Sequence, residues 1–474
     1  MMGRQSRQVE IAIVDLGEMV PDGHLLKRIA SVVDFDFIYE RAESLYSPQG
    51  RPSVDPVLLV KMLLVGYLYG IGSERRLEQE VHLNLAYRWF CGLGLNGRVP
   101  DHSTFSQNRR RRFGESNLFE SIFLEIVGKC LEKGLIDGEL VACDGTYISS
   151  HGSWDSVETR KVTVQRGAKS YLDALDEELA REPGYEPPRS ESVEVEQRRS
   201  RTDPEAAIFS HGEKSGLGYL METSVDCRHG LITGMDVYPA NAKESSIVLR
   251  HLERQIEREI PIHRVVLDKG YDVGAVHRGL ELLGIEGYIS SVDFSNPAEQ
   301  NGMTYLPEED CFLCPQNRKL TFQRVRPENR TGKALRYYAA ETASCENCPD
   351  RNRCLGTKRR LWQRQIVTSG FYPAFHRGRK RMREPQAKEC MRQRKIWAEG
   401  CFALMKREHN LQRILKVGLA RAREECLLAC IAVNLKRMVA ALVGPHPHFR
   451  KLQLFLCHLR SAPRLDSLAF DFAF

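Results

Sequence analysis

The sequence is expected to have no membrane-spanning segment. Val57 to Tyr69 is broken by Lys61 and is too short, and Cys426 to Gly444 carries Asn434, Lys436 and Arg437 inside it, so both are expected as buried helices. The apolar stretch Ile11 to Val14 is too short for a secretory signal, which predicts a cytoplasmic chain with no membrane partner. No repeat of solenoid or propeller period occurs. Charge of one sign is not in great excess either: 69 Lys and Arg against 62 Asp and Glu leave +7 over 474 residues, too little to identify a nucleic-acid partner. Cysteine is present 14 times but lacks the even spacing of a secreted disulfide framework. Most thiols are scattered singly and one group is clustered, as expected of reduced cysteines with one metal knot. With 42% apolar and 28% charged residues, the bulk is a folded chain of about three domains.

Helical periodicity dominates from about Gly23 to Leu135, with Leu58, Met62, Leu63 and Tyr67 at three- and four-residue intervals. Strand character begins at Leu140-Val141-Ala142-Cys143 and continues into Asp144-Gly145-Thr146. Residues 155–205 hold 13 acids and 9 bases among few large apolar residues, and predict a mobile insertion or long linker. Two apolar runs between Gly218 and Pro239 flank the turn at Asp226 to Gly230, a helix follows at Glu244 to Arg258, and Arg264 to Leu267 forms the next strand. A Cys-bearing insertion then precedes a helical carboxy-terminal part with Leu427, Ile431, Leu435, Met438 and Leu442 on one stripe. The expected divisions are 1–138 (helical), 139–294 (first part of an α+β core), 295–390 (Cys-bearing basic insertion), 391–443 (helices completing the core) and 444–474 (tail).

Three acidic residues stand out. Asp144 lies in a strand, where a carboxylate has poor propensity and needs a partner, although a strand-end Asp beside Gly145 is also simply a turn former. Asp268 follows the buried run Val265-Val266-Leu267, at the carboxyl end of a strand, where open α/β sheets place ligands. Asp272 reads instead as the cap of the helix that follows. Glu399 shares a helix face with Lys395 and Lys406, which by itself is an ion-pair ladder of little worth. Between Arg351 and Lys395 fifteen bases face two acids, a net +13 that includes Arg379, Lys380 and Arg381. Trp362, Phe371, Tyr372, Phe375 and His376 are interleaved, which suits phosphates and splayed bases better than a self-repelling connector. The Arg109 to Arg112 run, with Arg109 and Arg110 foremost, is either a solvated helix surface or a phosphate contact. Cys311, Cys314, Cys345, Cys348 and Cys354 give two CxxC pairs and an extra thiol, the pattern of a tetrahedral zinc site, but the thirty residues between the pairs exceed a compact ribbon.

In this order and spacing, Val-Ala-Cys-Asp-Gly-Thr at 141–146, Leu-Asp-Lys-Gly-Tyr-Asp at 267–272 and Glu-Gly-Cys-Phe-Ala-Leu-Met-Lys at 399–406 resemble the three catalytic boxes of the DDE transposases of bacterial insertion sequences. Gly50-Arg51-Pro52-Ser53 and Pro100-Asp101-His102-Ser103-Thr104-Phe105 are similar to the helical amino-terminal domain of one branch. The resemblance implies a ribonuclease-H-like mixed-sheet core in which Asp144, Asp268 and Glu399 hold two Mg²⁺ or Mn²⁺ ions. Two such ions suit oxygen ligands and in-line displacement at phosphorus. It implies cleavage at the element's terminal inverted repeats, transfer of the freed 3′-hydroxyl into target DNA, and a homodimer acting at the nucleoid. Of the Tyr-Arg-Glu-Lys signature, Lys406 matches the Lys, Lys395 stands where Arg is usual and Arg392 where Tyr is usual. Cys314, Cys345, Cys348 and Cys354 look like the recurring cysteines, leaving Cys311 over; they are the candidate zinc set, with unligated thiols as the alternative. A silent DNA-binding repressor or domesticated relative, or a nuclease that never joins ends, is the competing reading.

Overall fold

The computed structural model describes residues 13–47, 49, 53–114, 116–166, 171–187, 191–211, 214–291, 299, 302–328, 332–355 and 362–444. Gly50 to Pro52 of the amino-terminal motif, Lys358 to Arg360 of the basic run, and the tail after Gly444 lie outside the described residues. The front part is helical: α1 (Leu16–Met19), α2 (Leu25–Val32), α3 (Phe37–Ala42), α4 (Pro56–Leu68), α5 (Glu74–Leu83), α6 (Leu85–Phe90), α7 (His102–Asn108) and α8 (Leu118–Glu132). Polar residues start these helices. Asp55, Ser73, Asn84 and Asp101 each accept a backbone N–H from the first turn that follows, and Pro56 occupies a position whose N–H would be unpaired anyway.

The next part supplies β1 (Val141–Ser149), β2 (Val157–Arg166), α9 (Asp173–Ala180), β3 (Glu191–Ser200), β4 (Ala207–His211), β5 (Lys214–Asp226), β6 (Ile232–Pro239), α10 (Glu244–Glu257), β7 (Arg264–Leu267), α11 (Gly274–Leu282) and β8 (Glu286–Ile289). β1 is central. It pairs antiparallel with β5 along its whole length and parallel with β7, which pairs parallel with β8, while β6 and β4 line the far edge of β5. Three antiparallel strands continued by two parallel ones is the mixed sheet of a ribonuclease-H-like core. Val141 and Cys143 pack with Val248, Leu252, Val276 and Leu280 of α10 and α11, whereas Ala142, Val266 and Tyr288 face Ala387, Cys390 and Ala398 on the other side. Both faces are covered, so β1 and β7 read as unbroken apolar runs rather than alternating ones.

Residues 155–205 are not an unstructured linker. β2 and β3 pair over ten residues, with Val162 opposite Val195 and Val164 opposite Val193. Leu172, Leu175 and Leu179 bury α9 and the residue before it in the α10–α11 core. That spacing was legible, but the surrounding charge outweighed it.

The insertion forms a second, five-stranded antiparallel sheet: β9 (Thr304–Leu306), β10 (Cys311–Leu313), β11 (Lys319–Pro327), β12 (Ala334–Ala340) and β13 (Gln365–Ser369). Short helices α12 (Thr342–Glu346) and α13 (Arg351–Leu355) precede β13, and α14 (Tyr372–Arg381) follows it. Its core corrects the stacking role given to the aromatics. Tyr372 is buried edge-on against Tyr305 with ring centres 4.9 Å apart, Phe371 is buried with α11, and Phe375 meets His277. Trp362 alone of these is fully displayed, at 65% exposure. A basic segment can still need an apolar core to hold its sheet together.

The described residues end with α15 (Pro385–Arg394), a π-helical turn (Lys395–Glu399), α16 (Gly400–Glu408) and α17 (Leu419–Val443). By length and composition α17 could cross a membrane, yet it runs between α2, α4, α8 and β6. Its buried Asn434 donates to the Ile232 carbonyl and accepts from the Ile232 N–H, both at 2.8 Å, which satisfies the edge of β6. Front helices, α16, α17 and the β5–β6 side of the sheet therefore share one apolar core.

Candidate active site

β1 and β7 run parallel with Val141 beside Val265 and Ala142 beside Val266, and extending that register sets Asp144 next to Asp268. Asp144 is buried at the point where the apolar run of β1 ends. Asp268 lies one residue beyond β7, where its Oδ1 accepts the Gly270 N–H at 2.6 Å and closes a short turn over Lys269–Tyr271. The sheet thus brings together two carboxylates distant in the chain.

Glu399 joins them through Arg394. The Arg394 guanidinium donates from Nη1 to Asp144 Oδ2 at 2.7 Å and from Nη2 to Glu399 Oε1 at 2.8 Å. Arg394 is 8% exposed, and the Glu399 side chain, 53% exposed, reaches in from outside. Five residues separate the two, a spacing that splays them apart on an α-helix. The turn from Lys395 to Glu399 is π-helical, and its i to i+5 repeat realigns position 394 with position 399. The basic partner of Glu399 is therefore Arg394, not Lys395, which is exposed. Sequence spacing pointed to 395 because it assumed 3.6 residues per turn.

Burial pushes the Asp144 carboxyl up to about 6, against the pull of Arg394 and with the push of Asp268 and Glu399. Glu244, at the start of α10, also enters the group: burial first, then Asp268 and Asp144, push its carboxyl up to about 7. Opposite Gly145 on β5, fully buried Glu222 is driven well above the carboxylate range by burial, and the Tyr271 hydroxyl donates to its oxygens at 2.7 and 2.8 Å. Glu244 and Glu222 were missed by sequence reasoning. The one signal for Glu244 was a glycine one residue after Asp144 and two residues after Asp268, at 145 and 270.

The remaining basic residues divide by environment. Lys406 Nζ donates to Thr146 Oγ1 at 2.7 Å and to the Tyr147 carbonyl at 3.0 Å, tying α16 to β1 and so fixing the helix that carries Glu399. Arg379 pairs with Asp272 at 3.0 Å over the Phe375 ring, and Arg381 reaches Glu286 and the Gly287 carbonyl. Asp272 holds Arg379 and His277 rather than capping α11, which begins after Val273. Lys380 is exposed. Arg109 is buried between Glu424 at 2.6 Å and Glu74 at 2.9 Å, so it staples the front helices to α17 and is not open to phosphate. Arg110 remains exposed at a cleft of about 630 Å³ that Arg75, His102 and Lys416 also line.

Cys314, Cys345, Cys348 and Cys354 line one small cavity of about 30 Å³, and the Arg318 N–H points at Cys314 Sγ at 3.4 Å. Cys311 lies elsewhere, buried near Glu309 and Lys319. Among the described residues no group of three or more His, Cys, Asp or Glu is arranged to hold a metal ion as it stands. At the acidic site the side chains offer oxygen alone, the donor type a hard divalent cation takes, and a positive group, Arg394, bridges two of the carboxylates.

Residues 14–111 match a family described as a transposase domain (DUF772), and residues 313–439 match one described as a transposase DDE domain. The second match contains Glu399 and Lys406 but neither Asp144 nor Asp268. No curated protein matches the chain. Among solved structures, the piggyBac transposase synaptic complex with hairpin DNA is 9% identical over 93% of this chain and 82% of that one, with a TM-score of 0.36. The Mos1 transposase paired-end complex with left transposon end is 13% identical over 51% of this chain and 60% of its own, TM-score 0.16. The Mos1 mariner paired-end complex with Mn is 14% identical over 53% and 65%, TM-score 0.16.

Proposed function

For a chain that belongs to the DDE transposases, as its two matched domains identify it, we propose that Asp144, Asp268 and Glu399 form the catalytic centre. They hold two Mg²⁺ or Mn²⁺ ions, cut DNA at the terminal inverted repeats of an insertion sequence, and join the 3′-hydroxyl to target DNA. The observation that carries this reading is the single buried guanidinium shared by Asp144 and Glu399 with Asp268 alongside. Like charges gathered at a strand end are costly without a cation, and Arg394 is only a monovalent answer to three carboxylates. When bound, divalent ions supply activation of the attacking oxygen and charge neutralisation at phosphorus.

The chain's own residues do the rest. Arg394 holds Asp144 and Glu399 together in the absence of metal, and were ions to occupy those oxygens its planar donors would be suited to a phosphate oxygen of the DNA. Lys406 keeps α16 on β1, so Glu399 enters at a fixed height. Exposed Lys380, Lys395 and Arg110 supply phosphate contacts to the flanking duplex. Cys314, Cys345, Cys348 and Cys354, which line one cavity while Cys311 lies apart, are the residues that would hold a structural zinc, and such an ion would tie the loop after β10 to α12 and α13. Bringing two ends together calls for a second copy, at the nucleoid.

The test is to incubate the full chain, Mn²⁺ and linear DNA bearing the element's own terminal repeats, and to follow nicking and joining. Wild type should do both and Asp268→Asn neither. Full activity in Asp268→Asn, or no nicking by wild type, overturns the reading. Cutting without joining identifies a nuclease, and salt-sensitive binding without metal dependence identifies a repressor.

A further inference from the structure

We propose that Glu244 is a fourth metal-holding carboxylate, an oxygen ligand to the cation shared by Asp144 and Asp268. The inference rests on the catalytic centre proposed above and enlarges it with a residue outside both matched segments.

Glu244 stands in the first turn of α10, the crossover helix between β6 and β7. An acidic residue there ordinarily serves the helix N-terminus. This one leans away from it, over the sheet. A Cβ added at Gly145 would lie 2.5 Å from Glu244 Oε1, and one at Gly270 would lie 2.9 Å from Glu244 Oε2 and 3.0 Å from Asp268 Oδ1. The carboxylate therefore occupies the space that side chains at 145 and 270 would fill, between the residue after Asp144 and the turn after Asp268. Glycine at both positions is what admits it.

Its surroundings set it apart from every other acid nearby. Asp144 and Glu399 share Arg394; Glu222 has the Tyr271 hydroxyl; Asp236 has His251 and Arg254; Asp272 has His277 and Arg379. Among the described residues Glu244 has no cation and no hydrogen-bond donor, and the titratable groups that face it are acids: Asp268 and Asp144, with Glu222 on β5 beyond. A half-buried carboxylate facing two others is destabilising unless a positive group enters between them. Arg394 reaches the Asp144 oxygen on the Glu399 side, which leaves the Asp268–Glu244 side to an ion from solution. Oxygen ligands of this kind are those a hard divalent cation takes.

The measurement is Mn²⁺ binding alone, without DNA, by calorimetry and by electron paramagnetic resonance on the full-length wild type, Glu244→Gln, Glu244→Asp and Asp268→Asn. Loss of a direct ligand should weaken the tighter Mn²⁺ site at least as much as loss of a supporting partner does, about tenfold or more, in Glu244→Gln and in Asp268→Asn, with partial recovery in Glu244→Asp. Thermal melting without metal checks folding. Glu244→Gln, relieved of a repelling charge, should melt no lower than wild type, and its gain on adding Mn²⁺ should be smaller. Mn²⁺ affinity in Glu244→Gln within twofold of wild type, with Asp268→Asn weakened, overturns the role of Glu244 and leaves the three-residue centre standing. Unchanged affinity in both variants overturns the centre itself.

Discussion

Arg109 was equally readable from sequence as a phosphate contact or as part of a helix surface, and the structure makes it a buried staple, a difference that stability measures directly. Its Nε meets Glu424 at 2.6 Å and its Nη1 meets Glu74 at 2.9 Å. At an effective dielectric of about 20, each such pair is worth about 4 kcal/mol of gross attraction, most of it offset by desolvation. Truncation to Met leaves the two acids unequally placed. Glu74 keeps Lys416 at 3.0 Å, whereas Glu424, with a side chain only 5% exposed, keeps Arg421 at 3.3 Å. The cost falls mainly on Glu424, near the lower end of the range for breaking a buried pair, about 3 kcal/mol. Against a total of about 5–15 kcal/mol, that should visibly lower the urea midpoint. Arg109→Met with Glu424→Met removes both charges and should return to within about 1 kcal/mol of wild type. Followed by circular dichroism, a single variant as stable as wild type would refute the reasoning. So would a DNA salt-dependence slope shallower by about 0.9, the signature of one lost phosphate contact.

The π-helical turn predicts that Arg394→Ala lowers Mn²⁺-dependent nicking about tenfold or more while Lys395→Ala changes it less than about threefold; the reverse order in a nicking assay would show that α-helical spacing governs. Burial drives His409 down to about 4 from 6.5, and its Nδ1 donates to the Tyr67 carbonyl at 2.7 Å, joining α16 to α4. The folded chain therefore binds fewer protons than the unfolded one between those values: stability is fully present above pH 6.5 and is lost as pH falls toward 4, by up to about 3 kcal/mol. Urea midpoints at pH 7 and 4.5 should differ accordingly in wild type and less in His409→Leu; equal pH dependence in the two would count against His409. Elemental analysis of the purified chain should find about one zinc, retained in Cys311→Ser and lost in Cys345→Ser. A chain without zinc, or one that loses it in Cys311→Ser, would remove the four-cysteine assignment.

Much of the architecture was written locally. The apolar runs at 141–143 and 265–267, the turn at Asp226 to Gly230, the helix from Glu244 and the α17 stripe as far as Met438 are short-range patterns, and the structure has them at those places, whereas Leu442 at the end of that stripe is 40% exposed. The ribbon and α9 within 155–205 were missed because dense charge hid Leu172, Leu175 and Leu179, whose value depends on a groove made by α10 and α11. The aromatics of 371–376 were misassigned for a related reason: beside Lys and Arg they resemble a stacking surface, and only the tertiary structure shows Tyr372 and Phe375 packed in the core of the insertion and Phe371 buried with α11.

At the site the division is sharper. The sequence by itself marked which carboxylates directly follow a buried apolar run, since an Asp after Val-Val-Leu or Ala-Cys has few other places to go: Asp144 within β1 and Asp268 one residue past β7. Tertiary structure alone decided which charges meet. A π turn moved the partner of Glu399 from 395 to 394, a crossover helix carried Glu244 over two glycines, and α17 drew Arg109 inward. Such meetings depend on register and helix phase summed over hundreds of residues, and electrostatic energy at 3 Å is sensitive to an error of one residue, which no local pattern resolves.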